Sequence, residues 1–167
     1  MSNFKTYSAI DISSYFIKRN VSPLKLQKLL YYSQLWFYVK NRKPLFNDMI
    51  SAWIFGPVVY SVWSSFRFIK RTDIIPSNKS VNVDLNDVLP HLDDVWNAYG
   101  HLSGSQLVEL THQDKPWLNS RKGLLNNQPS GNIVEINSLT VADFSLNQDN
   151  TIPKVAFVKS LGHFSSI

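Results

Sequence analysis

The residues that could do chemistry are few, and their spacing does not favour catalysis. Ser103 and Ser105 lie near two of the four histidines in the sequence, which would suit a hydrolase. However, no G-x-S-x-G motif is present, and Ser103 is better explained as a helix cap. A hydrolase that pairs Ser103 or Ser105 with His112 is therefore only a minor hypothesis. The histidines are His91, His101, His112 and His163.

Metal, nucleotide and thiol chemistry lack their usual motifs. No HExxH or similar pair places two imidazoles on one helical face, and neither G-x-G-x-x-G nor G-x-x-x-x-G-K-[ST] occurs. The chain has no cysteine, which excludes a thiolate nucleophile, a disulfide and a Cys-ligated zinc site. Asp93 and Asp94 are adjacent and diverge on a helix. We therefore expect no catalytic residue, no cofactor and no metal, and we do not expect an enzyme.

The composition predicts one folded domain rich in potential interface residues. Of 167 residues, 44% are hydrophobic and 17% are charged, which is typical of a globular protein. The aromatic share of 13% exceeds what a core obviously needs, and aromatic side chains often anchor protein interfaces. No signal-peptide pattern starts the chain, and the most apolar stretch, 29–39, is shorter than the roughly 20 residues that span a bilayer. We expect a cytoplasmic protein without a membrane segment.

Hydrophobic periodicity predicts a mainly α fold, a single compact domain of about five to seven helices. Ser22 and Pro23 form a strong helix start, and the following helix is apolar on two sides to about Lys40, which places it at the centre. A short β element is expected near 45–55 or 132–137.

Turn residues and periodicity give the bounds of the other elements. We predict helices over about 8–18, 57–70, 87–99 and 103–111, with a short helical turn after Pro116. Gly56 and Pro57 would open the second of these, and Gly100 would form a left-handed cap. Ser103 and Gln106 match a capping box. Further along, we predict a short strand at 133–136, a short helix at 139–144 and a tail or arm from residue 149.

The charge is strongly polarised along the chain. Residues 1–72 carry eleven Lys or Arg against two Asp, whereas residues 73–167 carry six against ten acidic residues. A basic region with interspersed aromatics could attract nucleic acid or an acidic protein. No helix-turn-helix, zinc-finger or RNA-stacking signature accompanies it, so nucleic acid is the less favoured partner.

Several motifs occur in a fixed order along the chain. They are Ser22-Pro-Leu-Lys-Leu-Gln-Lys-Leu-Leu-Tyr-Tyr32, Pro44-Leu-Phe-Asn-Asp48, Ala52-Trp-Ile-Phe-Gly-Pro-Val58, Leu110-Thr-His112 and Pro116-Trp117. Taken together these motifs resemble the SocA-like antitoxin family, whose shared module is the Panacea domain and which includes phage-associated proteins. The resemblance covers about residues 8–121.

The resemblance implies a bacterial antitoxin that neutralises a cognate protein toxin by direct contact. The toxin would be encoded by the adjacent gene, and neither catalysis nor a cofactor is implied. Residues 1–125 would form the Panacea-like domain, and residues 126–167 a C-terminal extension that is packed on it or partly flexible. The matched motif residues would be structural: Trp53, Gly56, Pro57, Thr111, His112 and Trp117.

The partner-binding surface is harder to predict than the scaffold. Lys25, Lys28, Tyr32 and Tyr38 on the second predicted helix are our candidates for partner contact. His112, at the end of a helix, would be stabilised by the helix dipole or by a cap hydrogen bond. Two alternatives to direct inhibition remain open: a proteolytic adaptor that delivers the toxin to a protease, and a phage-derived basic module that binds nucleic acid.

Overall fold

The computed structural model describes residues 5–156, whose regular structure is six α-helices and one small antiparallel sheet. The mainly α fold with a short β element is confirmed, and the first strand lies in the predicted range 45–55. The elements are α1 (Ala9–Ile17), α2 (Pro23–Asn41), β1 (Ile50–Trp53), β2 (Gly56–Val59), α3 (Tyr60–Phe66), α4 (Leu89–Tyr99), α5 (Gly104–Thr111) and α6 (Lys115–Ser120).

Helix α2 is the central element, as its two apolar sides predicted. The Ser22 hydroxyl accepts a hydrogen bond from the Lys25 backbone N–H at 3.2 Å, and Pro23 stands at the first helical position. Helices α1, α3, α4 and α5 and strand β2 all pack against α2. Leu26, Leu29 and their neighbours are fully buried, and each such side chain contributes about 1.5–3 kcal/mol of transfer free energy.

Side-chain caps fix the starts of two further helices. In α5, Ser103 Oγ accepts from the Gln106 N–H at 3.1 Å, and Gln106 Oε1 accepts from the Ser103 N–H at 2.9 Å. The predicted capping box is therefore confirmed. Ser8 and Asp11 form the same reciprocal pair at the start of α1. These caps satisfy N–H groups that have no partner within the helix.

The segment around Gly56 was predicted incorrectly. Residues 56–59 form strand β2 instead of the start of a helix, and Ala52 pairs with Pro57 in the β1–β2 register. Helix α3 begins only at Tyr60 and ends at Phe66. Proline lacks an N–H but is tolerated in a short edge pairing, and the β-branched pair Val58 and Val59 suits a strand.

Gly100 does not form the predicted left-handed cap. Its φ of −62° and ψ of −24° are right-handed, so another constraint makes glycine useful there. A Cβ atom at this position would lie 2.6 Å from the Trp96 ring atom Cδ2 and 2.6 Å from the Trp96 carbonyl oxygen. The absence of a side chain lets Trp96 fold back over the end of α4.

The residues after α6 pack against the helical part without forming the predicted helix. Val134 N–H donates to the Ile50 carbonyl at 2.8 Å, extending the edge of β1 through an isolated bridge. Residues 138–143 form turns, so the short helix predicted at 139–144 is wrong. The strand predicted at 133–136 is also wrong, because only Ile133 forms a bridge. Val141 and Ile152 are buried. Val155 N–H donates to the Ala98 carbonyl at 3.1 Å, so the predicted arm follows α4 up to residue 156, and the remainder lies outside the described residues.

None of the helices between residues 5 and 156 combines the length and apolarity needed to span a membrane.

Substituting Gly100 tests the packing account of this glycine. Gly100→Ala should lower the free energy of unfolding by about 1–3 kcal/mol, because the new methyl group overlaps Trp96. Gly131→Ala is the matched control, since a Cβ there meets nothing within 4 Å. Urea unfolding followed by tryptophan fluorescence measures both. Equal stability of the two variants would contradict the packing account.

Candidate protein-binding groove

The turn between β1 and β2 is held by donors from distant parts of the chain. Lys28 Nζ donates to the Pro57 carbonyl at 3.0 Å, and Trp117 Nε1 donates to the Trp53 carbonyl at 3.0 Å. Arg121 Nη1 donates to the Ala52 carbonyl at 3.1 Å. We call Lys28, Trp117 and Arg121 the hairpin donors. They tie α2, α6 and the residue after α6 to one short hairpin.

Gly56 makes this close approach possible. Its φ of +100° is a conformation that L side chains rarely adopt. A Cβ would lie 2.6 Å from Thr111 Oγ1 and 2.9 Å from Lys28 Cε. Both the backbone conformation and the surrounding space therefore require glycine.

The lysine at this site is fully buried, with 0% exposure. Loss of hydration lowers the pKa of the Lys28 amine to about 7, because burial disfavours the charged form. Burial, the charge of Lys28 and that of Arg121 lower the pKa of His112 to about 4, against a hydrogen bond to the Ile54 backbone that raises it.

The neutral His112 ring contacts an aromatic neighbour. It stacks on Trp117 with ring centroids 4.1 Å apart and an angle of 18° between the planes. A neutral imidazole lacks the charge that the helix dipole would stabilise, so the lowered pKa argues against the dipole interpretation at pH 7. A cap hydrogen bond is present in the backbone at this position, where the His112 N–H donates to the Leu110 and Val108 carbonyls.

The structure brings all six family-motif residues to the hairpin turn or to the elements that touch it. Their assignment as structural stays a prediction, which the glycine substitutions below test. The six are Trp53, Gly56, Pro57, Thr111, His112 and Trp117.

A large cavity opens beside this turn. It has a volume of about 920 Å³, within the range of about 300–1,000 Å³ of typical ligand pockets. We call it the α2–α3 groove. Its walls come from the start of α2, the β1–β2 turn, α3 and the loop at 129–131. The apolar lining consists of Pro23, Leu24, Leu26, Trp53, Ile54, Phe55, Val58, Trp63, Phe66, Ile69 and Pro129.

Aromatic rings cluster at one side of the groove. Trp53 and Trp63 meet edge to face with centroids 5.3 Å apart, and Tyr60 lies 5.5 Å from Trp63. Tyr60 does not line the groove but is 55% exposed beside it. Clustered, partly exposed Trp and Tyr side chains are typical of the residues that dominate protein interfaces.

Sequence reasoning did not identify the groove residues as a site. Trp63 follows the apolar spacing of a core helix, and Arg67, Lys70 and Arg71 were counted only as part of the basic region. The available signal was only the clustering of three cations within five residues, because they follow the end of α3 at Phe66 and share no helix.

The four predicted contact residues do not form one exposed face. Lys28 and Tyr32 are buried inside the chain, so neither side chain contributes to an exposed face of α2. Lys25 Nζ donates to the Gly100 carbonyl at 2.6 Å, and the Tyr38 hydroxyl lies 3.1 Å from Ser138 Oγ. Both are half-buried. The prediction of one exposed contact face on α2 is wrong because other elements surround this helix on nearly every side.

A second, partly buried polar group lies one helical turn further along α2 from Lys28. Asp114 accepts hydrogen bonds from the hydroxyls of Tyr32 at 2.8 Å and Tyr31 at 3.2 Å. Burial raises the pKa of Asp114 to about 7, although both hydroxyl bonds lower it. Tyr32 stacks on Tyr99 at 4.1 Å, and Trp36 Nε1 donates to the Tyr99 hydroxyl at 2.7 Å. This network fixes α2 against α4 and α6.

Metal-ligating side chains do not converge anywhere in the described part of the chain. No group of three His, Asp or Glu residues between 5 and 156 is arranged to hold an ion.

These features define a mainly helical domain with an aromatic groove of the kind that binds proteins. The family model described as antitoxin SocA-like, Panacea domain, matches residues 26–118. The chain belongs to this family, as its motifs predicted. The match includes the hairpin turn and most of the residues that support it.

A curated relative agrees with the family match. The protein named Antitoxin SocA from Caulobacter vibrioides (strain NA1000 / CB15N) is 32% identical to this chain over 111 residues. The alignment covers 58% of this chain and 58% of that protein. No solved structure matches the chain significantly. Family membership supports an antitoxin role.

Comparing two glycines with positive φ separates backbone strain from crowding. Gly123 has φ +81°, but a Cβ there meets nothing within 4 Å. Gly123→Ala should therefore cost only the strain, about 1–2 kcal/mol. Gly56→Ala should cost about 1–3 kcal/mol more, because the methyl group also meets Lys28 and Thr111. Chemical denaturation measures the difference, and equal losses would contradict a structural role for the contacts at Gly56.

Replacing Lys28 by methionine should change how stability depends on pH. Because the amine pKa falls from 10.5 to about 7 on folding, the unfolded chain binds more protons at this position between those values. The contribution of Lys28 to stability therefore increases as pH rises from 7 to about 10 and is lost as pH falls. Methionine is similar in length and does not titrate.

The measurement is the free energy of unfolding of the wild type minus that of Lys28→Met across this range. We expect the difference to increase with pH. The exposed Lys122→Met is the control and should show a constant difference. A constant difference for Lys28→Met would contradict the lowered pKa.

Proposed function

We propose that this chain is an antitoxin that neutralises a protein toxin by binding it directly, without catalysing a reaction. The match of residues 26–118 to the SocA-like family model is the observation that carries this proposal. The toxin would be the product of the adjacent gene. The proposed binding surface is the α2–α3 groove, because it combines a large apolar volume with partly exposed aromatic side chains.

Three properties of the groove favour protein binding: apolar walls, rigid aromatic surfaces and a turn that is held in place. Apolar walls favour burial of apolar side chains, at about 25 cal/mol for each Å² removed from water. Trp53 and Trp63 present large rigid surfaces that lose little conformational entropy on binding. The hairpin donors hold the Trp53 end of the groove in place before a partner arrives, which reduces the cost of ordering the site.

Filling the groove should abolish neutralisation while leaving the fold intact. Gly131 lines the groove and is exposed, and a Cβ atom there meets nothing within 4 Å. Gly131→Trp should therefore enter the groove and weaken toxin binding at least about tenfold, a loss of about 1.4 kcal/mol. Leu139→Trp is the matched control, because Leu139 is 82% exposed and lies outside the groove lining.

The assay is co-expression with the adjacent gene, scored by growth rescue and by recovery of a complex on affinity resin. Wild type and Leu139→Trp should rescue growth and retain the complex, whereas Gly131→Trp should do neither. If the adjacent gene is harmless and no complex forms, the antitoxin proposal fails. If Gly131→Trp still rescues, the toxin binds elsewhere on the chain.

The same cells distinguish inhibition from delivery to a protease. A blocked toxin accumulates together with the antitoxin, whereas a delivered toxin disappears and persists only when the protease is removed. Direct inhibition predicts the first result. The second would make the chain a proteolytic adaptor.

A further inference from the structure

We infer that the α2–α3 groove binds a short apolar protein segment bordered by Asp or Glu side chains. This inference rests on the proposed function of the groove as the toxin-binding surface and adds the chemistry of the segment that enters it. It depends on three observations: the sign of the charges at the rim, their lack of carboxylate partners and the aromatic wall beneath them.

Every charged residue that lines the groove is basic. Arg67, Lys70 and Arg71 are exposed at its rim, and Lys28 lies buried at its base. No Asp or Glu belongs to the lining. A concave surface of one sign concentrates the field and attracts a ligand of the opposite sign.

The rim cations are not neutralised by carboxylates within the described structure. The ion pairs found between residues 5 and 156 join Arg19 to Asp93, Lys40 to Asp94 and Lys115 to Asp143, and none involves the rim. A carboxylate of the partner could therefore pair with a rim cation without first displacing a carboxylate of this chain.

Two rim guanidinium groups rest on aromatic rings. Arg71 lies 4.6 Å from the centroid of Phe55, and Arg67 lies 4.8 Å from that of Phe68. Stacking uses the flat face of a guanidinium and leaves its N–H groups at the edge available to a carboxylate. Arginines placed in this way can form bidentate bonds with Asp or Glu.

The apolar wall adds a requirement for apolar side chains in the partner, which the basic rim alone does not impose. Trp53 and Trp63 line the groove below the rim and are only partly buried, so covering their exposed surface requires apolar side chains from the partner. A protein segment with apolar residues flanked by acids satisfies both the wall and the rim. The opposite charge would also increase the rate of association at low salt.

Nucleic acid fits this arrangement less well. Specific protein–DNA interfaces are more polar and much more positively charged than protein interfaces. Here three exposed cations border a mostly apolar cavity. Bases could still stack on the tryptophans, so nucleic acid is included as an outcome of the test.

The test is selection of a phage-displayed library of random 16-residue peptides on the full-length chain. We expect enriched peptides to combine aromatic or aliphatic residues with a net negative charge. Synthetic versions of them should bind the wild type with an affinity that falls as salt rises. Failure to enrich any peptide, or enrichment of neutral or basic peptides, would overturn the inference.

Three variants locate the binding. Arg67→Glu/Lys70→Glu/Arg71→Glu should weaken peptide binding at least about tenfold, since three attractive pairs become repulsive. Gly131→Trp should weaken it similarly by filling the groove. Lys43→Glu/Lys79→Glu/Lys122→Glu changes the net charge equally at exposed positions outside the groove and should have little effect. Equal losses in both triple variants would show a nonspecific charge effect and overturn the assignment to the groove.

A fluorescent single-stranded oligonucleotide and a duplex are tested alongside the peptides. If they bind with the same dependence on the rim residues and compete with the enriched peptides, the groove is a nucleic-acid site and the inference is wrong. The peptide result is also separable from the antitoxin proposal. If acidic peptides bind but the adjacent gene product does not, the inferred chemistry of the groove stands and the proposal that this gene product is the toxin fails. If the gene product binds but no acidic peptide does, the antitoxin proposal stands and the inference of an acidic segment is wrong.

Discussion

The side-chain hydrogen bonds to the carbonyls of strands β1 and β2, beside the turn that joins them, are the interaction on which the rest of this structure depends. A hairpin with four residues in each strand is at best marginally stable by itself, and its buried carbonyl groups need partners. Lys28, Trp117 and Arg121 provide those partners from α2, α6 and the residue that follows α6. The short sheet is thus a product of helix packing, and the helices are in turn fixed by the sheet.

This arrangement explains why a small sheet occurs in a helical domain. The hairpin turns the chain back between α2 and α3 and places Trp53 at the wall of the α2–α3 groove. Gln27 secures its far end, since the Val59 N–H donates to Gln27 Oε1 at 2.7 Å. The groove therefore has one wall supported by interior hydrogen bonds and a rim whose charged side chains are exposed. In the proposed binding mode, the wall can remain constant among related proteins while changes at the rim alter which partner binds.

Local signals in the sequence predicted the helices well and the contacts between distant segments poorly. Ser22 with Pro23 and Ser103 with Gln106 marked helix starts that the structure confirms, because capping depends on residues within one turn. The two apolar sides of α2 correctly indicated a central helix. The strand at Gly56–Val59 was missed, since its stability comes from Gln27 and Lys28, about thirty residues away.

At the candidate site, too, the sequence indicated the motif residues but not the contacts between distant segments. Family motifs identified Trp53, Gly56 and Trp117, but periodicity could not show that Lys28 and Tyr32 point inward while Arg67 and Arg71 face solvent beside the groove. A lysine is rarely buried, and nothing near Lys28 in the sequence indicates that its amine donates to the Pro57 carbonyl. Gly100 is the converse case: the residue type suggested a backbone conformation, whereas the reason for glycine is the neighbouring tryptophan ring.

The buried lysine limits the routes by which related proteins can diverge. A change at position 28 alone leaves the Pro57 carbonyl without its donor, and a change at Gly56 alone meets the lysine chain and Thr111. Each single step should therefore lower the stability of the fold, although a simultaneous replacement of lysine, glycine and threonine could restore a packed interior. Positions 28, 56 and 111 should therefore be inherited as a unit, so that homologues differ at all three or at none.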